Sequence, residues 1–263
     1  MHRLCGVLAI GVFVLAGWGP ARADDRISQE AQIGRQVYAE LVKKGEIIKD
    51  SPDYAILDPI AQQIKRVADP QYQFPFRFIL VHEKQPNAFA VPGGNVYVTD
   101  SLMKFVNKRE ELAGVLCHET SHDIHHDVIN NMVKDQRAQT TATIGAIAAE
   151  LIFGTRAADV VGSLANIGLT AVTQGYSREV ETAADHKGAQ TCAQPGSNPW
   201  GMVWLFEQFE KADTGGQMEM LSDHPTDSHR IEDLKIEFAA DPALFGRFSS
   251  NPATATPLRS AAK

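Results

Sequence analysis

Between Val115 and His126 the chain reads VLCHETSHDIHH, which puts four histidines, a glutamate and an aspartate among aliphatic residues within twelve positions. Such side chains are costly to bury unless they are paired or hold a metal. A helix with apolar flanks must bury some of its faces. Any fold built around this stretch therefore has to satisfy its polar groups locally.

Within the stretch, His118-Glu119-Thr120-Ser121-His122 has the form H-E-x-x-H. Residues four apart on a helix share a face, so both imidazoles point the same way. Together they can hold one Zn²⁺, and Glu119 is placed to take a proton from an activated water. Two imidazoles do not complete a catalytic zinc site, which needs a third protein ligand. The metzincin arrangement would put that ligand at position 128 and a glycine at 125, but the chain has Val128 and His125 there. A downstream glutamate is the other option, and YSREVETAADHKG offers Glu179 and Glu181. Only Glu181 has an acidic residue, Asp185, one turn on along the same face. Glu181 is therefore the predicted third ligand, and Asp185 the predicted acceptor for a histidine ring N–H. His125 and His126 lie past the motif and are expected at the solvated end of its helix, where they suit the helix dipole.

The surrounding chain predicts an α+β fold, mostly α-helical, with a small β-sheet beside the H-E-x-x-H helix. ISQEAQIGRQVYAELVKKG reads as an amphipathic helix ended by Gly45. A second helix follows from Ser51 and Pro52, with Pro59 expected to bend or divide it. Residues 76–82, FRFILVH, read as a strand. AFAVPGGNVYVTD reads as two short strands about Pro92-Gly93-Gly94. Asp100 or Ser101 can cap a short helix through Val106, and Asn107 with Glu110 resembles a capping box that opens the motif helix. The Ala/Gly-rich residues 127–176 read as a helical hairpin packed on the core, or as a surface that meets a membrane. Further helices are expected at about 177–191, 199–211 and 226–238. The tail from Ser249 is expected to fray.

The first residues bear on the compartment. Arg3, an apolar run from Leu4 to Trp18 and the Ala21-Arg22-Ala23 site have the layout of a cleavable signal peptide, residues 1–23. The expected division is that leader, a metallopeptidase domain over 24–246 and a flexible tail over 247–263. Cleavage removes Cys5 and leaves Cys117 and Cys192, which are expected to stay unpaired because they sit on different helices. The formal net charge of −7 argues against nonspecific nucleic-acid binding, which wants a basic face.

Four motifs occur in order: NAFAVPGGNVYVTDSLM, HETSH, YSREVETAADHKG and HPTDSHR. With them the chain resembles the zinc metallopeptidase family of HtpX and the CAAX prenyl endoprotease. It is most similar to the periplasmic BepA/LoiP-like branch of these gluzincins, without the tetratricopeptide domain. The resemblance implies zinc ligation by His118, His122 and Glu181, with Glu119 as general base. It implies that His224 stabilises the transition state or ligates zinc in a latent form, that Arg230 acts near the site, and that Asn87 matches a family asparagine. It implies that GGNVYV forms an edge strand to which an extended substrate adds. Protein or peptide substrates in the periplasm, among them misfolded or unassembled envelope proteins, follow from the same resemblance. The rival reading is a zinc-binding chaperone or assembly factor, which would keep the ligands but would not need Glu119. A segment over 213–223 is expected to cover the site.

Overall fold

The computed structural model describes residues 23–138, 175–212, 224 and 228–259. The first helix, α1 (Ala23–Lys44), buries Ile33, Val37 and Leu41, which recur every four residues. It stops at Gly45, whose φ of 74° suits a glycine. Helix α2 (Tyr54–Ala68) buries Leu57, Ile60, Ala61, Ile64 and Ala68 and runs unbroken through Pro59, contrary to the expected division. Pro59 lies in the second turn, where its missing N–H leaves unmade only the bond to the Ala55 carbonyl.

Three strands follow, β1 (Arg77–Val81), β2 (Ala88–Val91) and β3 (Asn95–Thr99), in the order β1-β3-β2. β1 runs parallel to β3, and β2 runs antiparallel to it. The expectation that GGNVYV is an edge strand is corrected: β3 is central and buried along its whole length, and the edges are β1 and β2. Side chains alternate across the sheet. Phe78, Leu80, Ala90, Val96 and Val98 join α2 in one core. Ile79, Val81, Val91 and Tyr97 join α1 in another. Gly93 and Gly94, both at positive φ, make the β2–β3 turn.

Helix α3 (Asp100–Phe105) is capped by Thr99 rather than by Asp100 or Ser101, its hydroxyl accepting from Leu102 N at 3.0 Å. Helix α4 (Arg109–Ile124) carries the motif. The Glu111 carboxylate accepts from Lys108 N and Asn107 N at its start, one residue beyond the predicted cap pair. Every residue from Glu111 to Asp123 is buried. A helix buried all round is a central one, and α4 packs between the sheet layer and a helical layer. That second layer holds α6 (Arg178–Ala193), α7 (Trp200–Ala212), α8 (Ser228–Ala240) and the short α9 (Pro242–Phe245). Between α4 and α6 comes α5 (Asp127–Ala138). Most of the predicted hairpin, residues 139–174, lies outside the described residues. Among the described residues no helix is long and apolar enough to cross a membrane.

Two further expectations are overturned. Cys117 on α4 and Cys192 on α6 form a disulfide, with Cα atoms 5.9 Å apart. The two helices come this close because Gly188 lies against the His118 backbone, where a Cβ would sit 3.0 Å from His118 Cα. The tail from Ser249 to Arg259 is docked, not frayed. Leu258 is buried, its N–H donates to the Asn107 carbonyl, and the Arg259 guanidinium donates to Asp53 and to the Met103 carbonyl.

Candidate metal centre

Helical spacing places His118 and His122 on one face of α4. Their Nε2 atoms are 3.1 Å apart. The other ring nitrogens face carboxylates: His118 Nδ1 lies 2.9 Å from Asp185 Oδ1, and His122 Nδ1 lies 2.9 Å from Asp127 Oδ2. With each Nδ1 turned to a carboxylate, the Nε2 atoms of both rings converge on one point, and a proton on each Nδ1 would leave both Nε2 lone pairs free for a metal. Asp185 was anticipated in this role, but Asp127 was not. It opens α5 immediately beyond the motif helix, and a search for a carboxylate serving the second histidine would have reached it.

Glu181 enters from α6. Its Oε2 lies 3.4 Å from His118 Nε2, and its Oε1 lies 3.7 Å from His122 Nε2. His224 completes the group, with Nδ1 3.0 Å from Glu181 Oε1 and 3.3 Å from His118 Nε2. One ligand atom from each of His118, His122, Glu181 and His224 falls within 4.8 Å of the others, and all four residues are buried. A tetrahedral ion bound at 2.0–2.1 Å would separate its ligand atoms by about 3.3 Å. The donor set therefore fits a small divalent cation. Without one, converging lone pairs and a carboxylate would share a dry site.

The charges are polarised around this point. Burial opposes a charge on His118, but Asp185 and Glu181 outweigh it and raise its pKa to about 10. Burial and the neighbouring His118 push His122 down to about 3. Glu181 and Asp185 are each held below the usual carboxylate range against the cost of burial, by histidines in the first case and chiefly by Arg230 in the second. Tyr176 stacks on His122 with centroids 4.2 Å apart and planes 15° apart, which closes that side to water.

Glu119 does not point with the ligands. Its Oε2 accepts from Ala90 N on edge strand β2 at 3.0 Å, and its buried Oε1 has no hydrogen-bond partner. Oε1 lies 3.4 Å from His224 Nε2. Arg230, expected to act near the site, faces carboxylates. From α8 it donates through Nε and NH2 to both oxygens of Asp185 at 2.6 and 2.7 Å, and its NH1 lies 2.8 Å from Glu181 Oε2. The guanidinium thus braces the carboxylates from behind. Asn87 is buried at the start of β2, where its N–H and carbonyl pair with Thr99. His125 is half-buried, and burial lowers its pKa. His126 is not solvated: its Nδ1 lies 2.6 Å from Glu30 of α1.

An H-E-x-x-H helix, a glutamate on a second helix and a small edge strand reaching the motif glutamate together define a metallopeptidase. Residues 56–237 match the model of Peptidase family M48. The chain belongs to that family. It is 26% identical over 215 residues to the beta-barrel assembly-enhancing protease of Escherichia coli (strain K12), covering 80% of this chain and 44% of that protein. It is 31% identical over 169 residues to the protein of that name from Yersinia pestis, covering 61% and 34%. It is 28% identical over 161 residues to the mitochondrial metalloendopeptidase OMA1 of Schizosaccharomyces pombe, covering 60% and 44%. The chain thus spans less than half the length of these curated relatives.

Proposed function

We propose that the protein is a zinc-dependent endopeptidase of the bacterial cell envelope that hydrolyses peptide bonds of misfolded or unassembled proteins. Export through residues 1–23 and a periplasmic setting belong to the same proposal. They are supported by the leader-like composition and by relatives named for β-barrel assembly. His118, His122 and Glu181 are the proposed zinc ligands, with Asp185 and Asp127 holding the imidazoles. Bound there, zinc supplies Lewis acidity towards water and the scissile carbonyl.

The remaining chemistry falls to the chain's own side chains. Glu119 Oε1 takes a proton from the attacking water and passes it to the leaving amine. Ala90 N fixes the other carboxylate oxygen and so aims the free one. An extended substrate lies along β2, the sheet edge nearest Glu119. His224 Nε2 is the donor for a developing oxyanion once the side chain has left the ligand group. Where it stands, His224 Nδ1 would serve as a fourth ligand, which favours a latent state. The cover expected over 213–223 lies outside the described residues. Arg230 positions Glu181 and Asp185.

The observation that carries the enzymatic reading over a zinc-binding chaperone is the buried, unengaged Oε1 of Glu119 beside the ligand group. The test is zinc stoichiometry by elemental mass spectrometry together with casein cleavage. Wild type and Glu119→Gln should each hold one zinc, and Glu181→Gln should lose it. Turnover should drop by at least two orders of magnitude in Glu119→Gln. Unchanged cleavage by that variant would sink the mechanism.

A further inference from the structure

The helix that carries the ligands ends in an unusual way. His126 has φ of 57°, the one non-glycine residue at positive φ among the described residues. Only His125 and His126 separate α4 from α5. In an unbroken helix Asp127, five residues beyond His122, would be rotated about 140° from it and could not reach its ring. The left-handed residue breaks the helix, and the Asp127 carboxylate swings back to 2.9 Å from His122 Nδ1. A side chain at this position disfavours that conformation, which glycine would accept readily.

His126 is held in place by α1. The Glu30 carboxylate, 1% exposed, lies 2.6 Å from His126 Nδ1 through Oε1. Its Oε2 accepts from the Tyr72 hydroxyl at 3.1 Å and from the Gln73 amide. The Tyr72 hydroxyl in turn accepts from Gly93 N in the β2–β3 turn. A buried carboxylate with three donors is a built contact. α1 lies outside residues 56–237, the stretch that matches the family model.

We infer that Glu30 is a positioning residue for the metal site, acting at a distance through His126 and Asp127. It holds the left-handed turn that keeps the Asp127 carboxylate on His122 and so keeps His122 Nε2 aimed at the metal. The inference rests on the proposed zinc centre and adds to it a dependence on the N-terminal helix. Loss of a carboxylate that orients a ligand histidine costs roughly 10–100-fold in metal affinity.

The experiment is zinc affinity by chelator competition on the full chain, with thermal unfolding of the metal-free forms as a fold control. Glu30→Ala should weaken zinc on the order of tenfold, as should Asp127→Ala, and the two losses should not multiply when combined. Glu30→Gln keeps an acceptor for His126 and should stay near wild type. The deciding variant is the double change Glu30→Ala/His126→Gly. Glycine adopts the turn unaided, so most of the affinity should return. Should Glu30→Ala fail to fold, His126→Ala and His126→Gly replace it. Both lose the contact with Glu30, and only the alanine variant should lose zinc. Wild-type affinity in Glu30→Ala, no recovery with glycine, or equal affinities in the two His126 variants would each overturn the inference. A wild-type chain that binds no zinc would refute the metal reading instead.

Discussion

Breaking the Cys117–Cys192 bond should cost this protein a large part of its stability. The two cysteines are 75 residues apart in sequence. For a closed loop of that size the chain-entropy relation gives about 4.5 kcal/mol at 25 °C, all of it from releasing the unfolded chain. Native-side terms do not offset this. Both cysteines are fully buried at a close helix–helix contact, where two thiols need more room than one bond. Total stabilities of about 5–15 kcal/mol make this a third or more of what a domain has. The assay is urea unfolding of oxidised protein, reduced protein and the Cys117→Ala/Cys192→Ala variant. With m of about 2–3 kcal/mol/M, the midpoint should fall by about 1.5–2.3 M. Alkylation without reductant should label neither Cys117 nor Cys192. A shift below about 0.3 M would refute the loop-entropy argument, and labelling of both cysteines before reduction would refute the bond itself. The bond joins the residue beside His118 to the helix carrying Glu181, so reduction should also loosen zinc.

Arg230→Leu should strip the counter-charge from two buried carboxylates and cost about 3–5 kcal/mol. A calorimetric loss below 1 kcal/mol would show that the guanidinium is not what stabilises Asp185. Gly188→Ala places a Cβ 3.0 Å from both His118 N and His118 Cα, so α6 must retreat by a few tenths of an ångström. The expected result is a loss of about 1–3 kcal/mol with weakened zinc binding, and unaltered affinity would mean that the helices adjust elsewhere. His186 pairs with Glu237 across α6 and α8, and that carboxylate raises its pKa above the ordinary value. A raised folded-state value means that the pair's contribution is fully present below about pH 6.5 and is lost as pH rises through the folded pKa. The stability gap between wild type and Glu237→Gln should therefore shrink from pH 5.5 to 8.5, and a constant gap would count against the pairing.

Helical arithmetic explains which parts of the site were readable. His118 and His122, and then Glu181 and Asp185, are four apart on helices, so their shared faces follow from sequence alone. The helices and the three strands were legible from the same periodicities, within a few residues at most ends. What was not legible depends on contacts between distant segments or on breaks in a local rule. The sheet order needs the parallel pairing of β1 with β3, and adjacency in sequence pointed only to the β2–β3 hairpin. The disulfide needs the approach that Gly188 permits, which no spacing of cysteines encodes. Arg230 was expected near the site, but its direction is decided by two carboxylates on another helix. The tail has the composition of a frayed end, yet Leu258 and Arg259 find partners some 150 residues earlier in the chain.

Asp127 combines both difficulties. It does the same work for His122 that Asp185 does for His118, but it reaches its ring only because a histidine takes a conformation that sequence would assign to glycine. That exception has a cause elsewhere, in a buried glutamate nearly a hundred residues upstream. The twelve residues rich in titratable groups are therefore not an excess of charge on a helix. His118 and His122 face the ligand point, Glu119 and Asp123 tie the helix to β2 and to Gly94, and His126 anchors its end to α1. The Thr120 and Ser121 hydroxyls donate to the Leu116 and Cys117 carbonyls one turn back, and the buried ionisable side chains of His118, Glu119, His122 and Asp123 reach other elements, which is how a helix buried all round can carry them.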